Sequence, residues 1–188
     1  AKVRRTIAEM GYAPNVIARN LSLGRSRCLG IVTAGLDLMG PSRTLKAITS
    51  QAEEEGYTLL LKELPSFDTD RFRSTLDTLL SNRVDGIIWA VPEVGHNRDW
   101  LRDEDAVSRI PMLFLTMEPR DGLTTISVDN RQGARLATDH LLSRGYRHIG
   151  HISGPLNWWE ARERMAGWQE ALASAGMYVD AECLAQGD

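Results

Sequence analysis

Short apolar runs alternate with longer amphipathic stretches from Cys28 onward. The runs CLGIVTA, YTLLLKEL, DGIIWAV and IPMLFLTM have the length of strands, and the third is almost entirely apolar, as expected of a strand buried on both faces. Between the first two runs, Leu45, Ile48 and Ala52 recur at helical spacing, and Gly56 follows as a stop signal. This alternation predicts an α/β fold in which crossover helices join parallel strands.

The pattern restarts at Asp129 after a short extended segment, TTISVD. NRQGARLATDHLLSRGY predicts an amphipathic helix, RHIGHISGP a strand, and WEARERMAGWQEALASAGM a second helix that ends at Gly176. We therefore expect two wound subdomains, residues 26–128 and 129–188. The second has too few strands to close a sheet of its own, which predicts that the chain is part of a larger protein.

Composition narrows the class of protein. The 188 residues are 43% hydrophobic, which suits globular domains and excludes a disordered chain. No run of about 18 apolar residues predicts a membrane span, and AKVRRTIAEMGY lacks the apolar stretch of a secretory signal. Cys28 and Cys183 have no CxxC or histidine companion, which indicates reduced thiols rather than a disulfide or a zinc site. A cytoplasmic protein without membrane association is expected.

Charge is distributed unevenly along the chain. Residues 1–27 contain six lysines and arginines and one acid, Glu9, a charge of +5; because the whole chain carries −3, the remainder carries −8. Such asymmetry indicates a basic arm that meets a polyanion, although a solvated basic helix is the simpler alternative. Pro14 can open a helix over PNVIARNLSL, which is marginal alone in water and needs a surface to fold against.

The familiar motifs of catalysis and cofactor binding are absent from the sequence. No GxGxxG follows the first strand, and neither GxxxxGK[ST] nor GxSxG occurs. His148 and His151 are three apart in a predicted strand, where odd spacing directs them to opposite faces and away from a shared metal. The acids at 68–70 and 103–106 suit helix N-termini and a solvated surface. We predict a protein that is not an enzyme and that holds no metal or cofactor.

Five segments resemble, in order and spacing, the lactose-repressor and purine-repressor (LacI/GalR) family of bacterial transcription regulators: YAPNVIARNLSLGRSRCLGIV, NRVDGIIWAVP, IPMLFLTM, VDNRQGARLATDHLLSRGYRHIGHISGP and ARERMAGWQEAL. Members of that family join a helix-turn-helix headpiece, a hinge helix and a core of two periplasmic-binding-protein-like subdomains. The resemblance implies that residues 1–12 are the end of the headpiece and 13–25 the hinge helix and linker. Most of the headpiece and the last part of the core would lie outside this chain.

The resemblance also assigns DNA contacts to the hinge helix. Its polar residues would contact phosphates or minor-groove edges, a small residue would let the backbones approach, and Leu21 would wedge between bases and kink the duplex. The alternative for Leu21 is packing against Ile17, four residues earlier. The matching positions are Asn15, Ala18, Arg19, Asn20 and Leu21.

An effector site between the two subdomains is the second implied feature. The guanidinium of Arg164 would bind paired sugar hydroxyls or a polar purine edge, unless Arg164 is a surface residue like Arg162. Trp158 and Trp159 lie in a loop after a strand end, where they would stack on sugar rings, although either could fill a core gap. The matching positions are Ser42, Ala90, Pro92, Thr116, Trp158, Trp159, Glu160 and Arg164.

Thr116 departs from the family pattern, in which several relatives have an aspartate. A hydroxyl cannot supply the same charged acceptor, so the effector cannot be assigned by close analogy. Glu160 would accept a hydrogen bond from a hydroxyl, which favours a carbohydrate.

The function implied is an effector-responsive transcriptional regulator, a repressor, that binds operator DNA as a homodimer. A small effector would change the angle between the subdomains and so alter whether two hinge helices can pack in the minor groove. The main alternative is a periplasmic-type sugar-binding protein with the same fold and no DNA binding. The basic arm and the absence of a signal sequence favour the regulator.

Overall fold

The computed structural model describes residues 25–68, 70–102, 109–178 and 181–187. The predicted headpiece end, the hinge helix and the five DNA-binding positions Asn15, Ala18, Arg19, Asn20 and Leu21 lie outside the described residues. Among the described residues, no helix has the length and apolar character needed to cross a membrane. In the same part of the chain, no three His, Cys, Asp or Glu side chains form a group that could hold a metal ion.

The described residues form seven strands and four α-helices, with short 3₁₀ helices at Asp99–Arg102 and Ala181–Cys183. In chain order the elements are β1 (Cys28–Ala34), α1 (Met39–Glu54), β2 (Thr58–Leu64), α2 (Phe72–Ser81), β3 (Gly86–Ala90), β4 (Met112–Leu115), β5 (Thr124–Ile126), α3 (Asn130–Ser143), β6 (His151–Ser153), α4 (Trp159–Ser174) and β7 (Leu184–Gln186).

Five of the strands form one sheet in the order β2-β1-β3-β4-β5. All of its pairings are parallel, with Ile31 of β1 opposite Leu61 of β2 and Ile88 of β3. Parallel neighbours require crossover connections, which α1 and α2 provide. The predicted α/β class is therefore confirmed, and the carboxyl ends of β1, β3 and β4 lie side by side at one edge of the sheet.

The core of this sheet is built around aromatic rings. Trp89 of β3 and Phe114 of β4 are fully buried. Trp100 covers them, with its ring centroid 4.8 Å from that of Trp89 and 6.1 Å from that of Phe114. Because Trp100 belongs to the 3₁₀ helix after β3, this packing holds the segment that follows β3 against the sheet.

The second sheet contains β6 and β7, again parallel. Helices α3 and α4 pack closely beside it: a Cβ atom added at Gly167 of α4 would lie 2.0 Å from the carbonyl oxygen of Arg131 in α3. Trp168 of α4 is buried, stacks on the ring of His151 in β6, and donates its Nε1–H to the Ile149 carbonyl at 3.2 Å. The start of α4 is therefore held at a defined position beyond the end of β6.

Some element boundaries differ from those predicted. Helix α1 begins at Met39, ahead of Pro41, because proline within a first turn loses no helical hydrogen bond. In the segment RHIGHISGP only His151–Ser153 forms a strand, so His148 lies outside β6. Strand β7 was not predicted; it pairs with β6 over three residues, a contact that its own sequence pattern does not reveal.

Candidate functional site

The segment after β3 meets the start of α4, and this contact joins the two sheets. The Trp159 amide donates to the Glu93 carbonyl at 3.0 Å, and the Gly95 amide donates to the Asn157 carbonyl at 2.7 Å. Between them, Val94 and Trp158 form an isolated antiparallel bridge. Residues from both halves of the chain therefore meet beyond the carboxyl ends of the strands, where wound sheets bind ligands.

Arg164 lies at the carboxyl end of β6, held by α3. Its Nη1 donates to Asn130 Oδ1 at 2.7 Å. A Cβ atom added at Gly154, just after β6, would lie 3.8 Å from Arg164 Nη2. Asn130 is the first residue of α3. Asp129 caps the N-terminus of this helix, because its side chain accepts a hydrogen bond from the Gln132 amide at 2.8 Å. Arg164 is therefore an oriented, half-buried cation, whereas Arg162 is exposed and donates to the Leu156 carbonyl at 3.1 Å.

Two titratable side chains lie beside Arg164. Burial raises the pKa of Glu160, against the smaller lowering effects of Arg164 and of a hydrogen bond with Asn130. Burial also lowers the pKa of His151, and the positive charge of Arg164 lowers it further. Both shifts disfavour the charged form. The group therefore offers a guanidinium fork, an amide and a partly desolvated carboxyl, a set suited to hydroxyl groups.

The predicted positions of the first sheet lie at its carboxyl edge. Ala90 ends β3, and both it and Pro92 are buried, so each would present little surface to a ligand. Thr116 follows β4 in a left-handed conformation, with φ 54°, and its carbonyl accepts from the Glu93 amide at 3.0 Å. Ser42 is exposed in α1, and none of the hydrogen bonds seen in the described residues ties its side chain to the other positions.

The tryptophan pair lies differently from the predicted loop. Trp158 is the N-cap residue of α4, while Trp159 and Glu160 are already in its first turn. Trp159 is buried, with 8% of its surface exposed, which agrees with the alternative that it fills a gap in the core. Trp158 is half-buried and packs edge-to-face on Phe67, with 4.9 Å between ring centroids.

Sequence reasoning missed a buried ionic cluster next to this site. Glu93 accepts from the Glu118 amide at 2.9 Å through Oε2 and pairs through Oε1 with Arg120. Burial lowers the pKa of Arg98 to about 10, against the favourable charge of Glu93. Arg98 donates to the Val91 carbonyl. The only sequence signal for this cluster was an acid directly after an apolar strand, a position usually interpreted as solvated.

Asn130 was also missed, because its part in the site is to hold Arg164, 34 residues further along the chain. Nothing in the local pattern around Asn130 distinguishes it from any polar residue at a helix start. The pairing exists only because α3 and α4 pack against each other.

A family model described as periplasmic binding proteins and the sugar-binding domain of the LacI family matches residues 42–188. The chain belongs to the LacI/GalR family. The α/β fold with a five-stranded parallel sheet is that of the LacI core domains, and the resemblance seen in the sequence is confirmed.

Known relatives of this LacI/GalR protein are repressors. The lactose operon repressor of Escherichia coli strain K12 is 31% identical over 171 residues, 91% of this chain and 47% of that protein. The ribose operon repressor of the same strain is 30% identical over 181 residues, 95% of this chain and 54% of that protein. The structure of the Lac repressor dimer bound to operator and the anti-inducer ONPF matches with a TM-score of 0.82 and 29% identity, over 100% of this chain and 56% of that chain.

The chain spans about half the length of the curated relatives it matches. These relatives are transcriptional repressors and not enzymes, in agreement with the prediction of a non-enzymatic regulator.

Proposed function

We propose that the protein is an effector-responsive transcriptional repressor that binds operator DNA as a homodimer in the cytoplasm and takes a carbohydrate between its two subdomains. The observation that carries the effector site is the orientation of Arg164 by Asn130 at the carboxyl end of β6, next to Glu160. An arginine held in place loses little freedom when its fork binds two hydroxyls.

We assign the parts of the proposed repressor to ranges of the sequence. Residues 1–12 end the headpiece, 13–25 form the hinge helix and linker, 26–128 the first core subdomain and 129–188 the start of the second. The DNA contacts are assigned to Asn15, Ala18, Arg19, Asn20 and Leu21. The +5 charge of residues 1–27 supports this assignment, because a basic arm is attracted to the phosphate backbone.

We retain all eight predicted effector positions and assign them different roles. Arg164, Glu160 and Trp158 present partly exposed polar or aromatic groups and would contact the effector directly. The buried Ala90, Pro92 and Trp159 would shape the walls. Thr116 and Ser42 complete the set from the first sheet.

The hydrogen bond between the Trp159 amide and the Glu93 carbonyl supports coupling between effector and DNA. A ligand that binds Glu160 or Arg164 and displaces α4 would also displace the segment after β3, because the first turn of α4 is hydrogen-bonded to that segment. An effector with different affinity for two such arrangements shifts their populations, and this shift is the coupling free energy.

The experiment uses the natural protein that carries this chain, an operator duplex selected from a random library, and a saccharide panel screened by calorimetry. Leu21→Ala should weaken operator binding and leave saccharide affinity unchanged. Arg164→Ala should weaken saccharide binding at least tenfold, since a hydrogen bond to a charged group is worth about 1.5–3 kcal/mol. Arg162→Ala, two residues away on the exposed face, is the matched control and should change neither.

A protein that binds a saccharide through Arg164 and no duplex would be a periplasmic-type binding protein, and the repressor proposal would fail. Loss of saccharide affinity in Arg162→Ala to the same degree as in Arg164→Ala would remove the assigned role of Arg164.

A further inference from the structure

A cavity of about 640 Å³ opens beside the proposed effector site, between the segment that follows β2 and the segment that follows β3. Its aromatic walls include Phe67 and Trp158, which meet edge-to-face. Trp158 is the one member of the eight-residue effector set that lines it, although all eight lie in the described part of the chain. Trp158 therefore belongs both to the proposed effector set and to the wall of this cavity.

The cavity is held open by Asn97. Its Nδ2 donates to the Phe67 carbonyl at 2.7 Å and to the Pro92 carbonyl at 2.9 Å. Its Oδ1 accepts from the Val94 amide at 3.2 Å and from Arg98 Nη1 at 3.2 Å. One side chain thus fixes the segment after β2 to the segment after β3. A site on such a support needs little reorganisation to bind a ligand.

The base of the cavity is equally constrained. Phe72 stacks on Trp100, with ring centroids 5.1 Å apart and an interplanar angle of 14°. Trp100 donates its Nε1–H to the Asn97 carbonyl at 3.1 Å. The stacked rings therefore form a fixed floor, with the guanidinium of Arg73 5.6 Å from the centroid of the Phe72 ring, and Asn97 connects this floor to the walls.

The polar groups of the cavity restrict the ligand. Asp68 and Asp70 lie exposed at its rim, and no lysine or arginine is among the described residues that line it. Asp99 also lines the cavity, and the guanidinium of Arg73 lies 5.6 Å from the ring centroid of Phe72, another lining residue. Because three carboxylates of the described residues line the cavity, it disfavours phosphate and carboxylate ligands and can accept hydrogen bonds from hydroxyl groups. Aromatic rings beside them offer surfaces for the C–H face of a sugar ring. A neutral polyhydroxylated ring fits this combination.

We infer that this cavity binds a second sugar ring of the effector, so that the ligand is a disaccharide or a longer saccharide rather than a monosaccharide. The inference rests on the proposed function. One ring would contact Arg164 and Glu160, and the next would pass Trp158 and lie against Phe67, with its hydroxyls donating to Asp68. The volume lies within the range of about 300–1,000 Å³ that small-molecule pockets occupy.

The test is a calorimetric comparison of monosaccharides with disaccharides built from them: glucose, galactose, maltose, cellobiose and lactose. The preferred disaccharide should bind at least tenfold more tightly than either of its component sugars. Asp68→Asn, an isosteric change on an exposed side chain, should weaken the disaccharide up to about tenfold and leave the monosaccharide unchanged, since the hydroxyl then donates to a neutral amide or meets its NH₂ group instead of a carboxylate. Asp121→Asn, another exposed acid outside the cavity, is the matched control.

Phe67→Ala provides a second readout through loss of the aromatic wall. It should also weaken disaccharide binding selectively, whereas Arg164→Ala should weaken both classes of sugar. Thermal unfolding of each variant shows whether the fold is kept; because Asp68 is exposed, its substitution tests the inference even if Phe67→Ala fails to fold.

Equal affinity for a disaccharide and its component sugars would overturn the inference and leave the proposed function intact. The inference would fail in the same way if Asp68→Asn weakened both sugars alike. Failure to bind any saccharide would overturn the inference together with the carbohydrate part of the proposed function. Binding of choline that Asp68→Asn abolishes would show a site for an organic cation instead and would also overturn the inference.

Discussion

The guanidinium of Arg164 and the side-chain oxygen of Asn130 lie 2.7 Å apart and form a hydrogen bond between α4 and α3. The first residue of one helix thereby orients a cation on the second turn of the other. This makes Asn130 a positioning residue for the proposed effector site.

Replacing Asn130 by alanine should therefore weaken saccharide binding about tenfold, since Arg164 loses a charge-assisted hydrogen bond and must be ordered by the ligand itself. Calorimetry measures this loss, and operator binding without saccharide should change less than twofold. Gln132→Ala, an exposed position on the same helix turn, is the control. An equal loss of operator and saccharide affinity would mean that Asn130 supports the fold and not Arg164.

Glu160 should make stability depend on pH. Burial raises its pKa above the ordinary value of 4.5. A carboxyl with a raised folded-state pKa contributes stability below pH 4.5, and this contribution is lost as pH rises through the folded-state pKa. Glu160→Gln should consequently raise the denaturant midpoint at pH 7, with a difference that disappears below about pH 4.5.

Chemical denaturation at pH 7 and pH 4 measures this difference, with Glu54→Gln on an exposed part of α1 as control. If Glu160→Gln lowers the midpoint at pH 7, the attraction of Arg164 and the hydrogen bond with Asn130 outweigh the cost of burial, and the assigned cause of the shift is wrong.

Gly167 is required for the close approach of α3 and α4. A Cβ atom there would lie 2.0 Å from the backbone oxygen of Arg131, which cannot move without shifting α3. Gly167→Ala should destabilise the protein by about 1–3 kcal/mol, the usual cost of overpacking, despite the better helix propensity of alanine. Equilibrium denaturation gives the free energy.

Gly133 in α3 is the matched control. A Cβ atom there would meet nothing within 4 Å. Gly133→Ala should stabilise by up to about 1 kcal/mol through propensity alone. The packing argument fails if both substitutions have the same sign.

Glu93 neutralises two arginines in a buried cluster. Glu93→Gln would leave Arg98 buried without its counter-charge and remove the partner of Arg120. Breaking a buried pair from one side costs about 3 kcal/mol or more, so a large drop in unfolding free energy is expected.

Asp99→Asn tests the opposite case. Asp99 pairs at 3.7 Å with the largely exposed His96 and Arg102, and pairs of this kind contribute at most about 1 kcal/mol. Similar losses for Glu93→Gln and Asp99→Asn would show that the buried cluster is solvated and does not stabilise the fold.

The strands of the first sheet and most helices could be predicted because their patterns are local. A run such as DGIIWAV must be buried on both faces, and apolar residues three and four apart must form a helical face. Strand β7 could not be predicted in this way, because its three residues are extended only through pairing with β6. Trp159 illustrates the same limit. The sequence indicates an aromatic residue near the sheet edge where ligands bind, but only the packing around α4 shows that this residue is buried.

The sequence by itself determined the α/β class, the order of the elements from β1 to α4, the family and the charge of the basic arm, since all of these depend on neighbours along the chain. The DNA contacts of that arm stay a prediction. Only the tertiary structure decided that Asn130 orients Arg164, that Glu93 joins β3, β4 and α4, and that Trp158 lines a cavity. These relationships connect residues far apart along the chain or shape a space between segments, and the helix and strand periods carry no information over such separations.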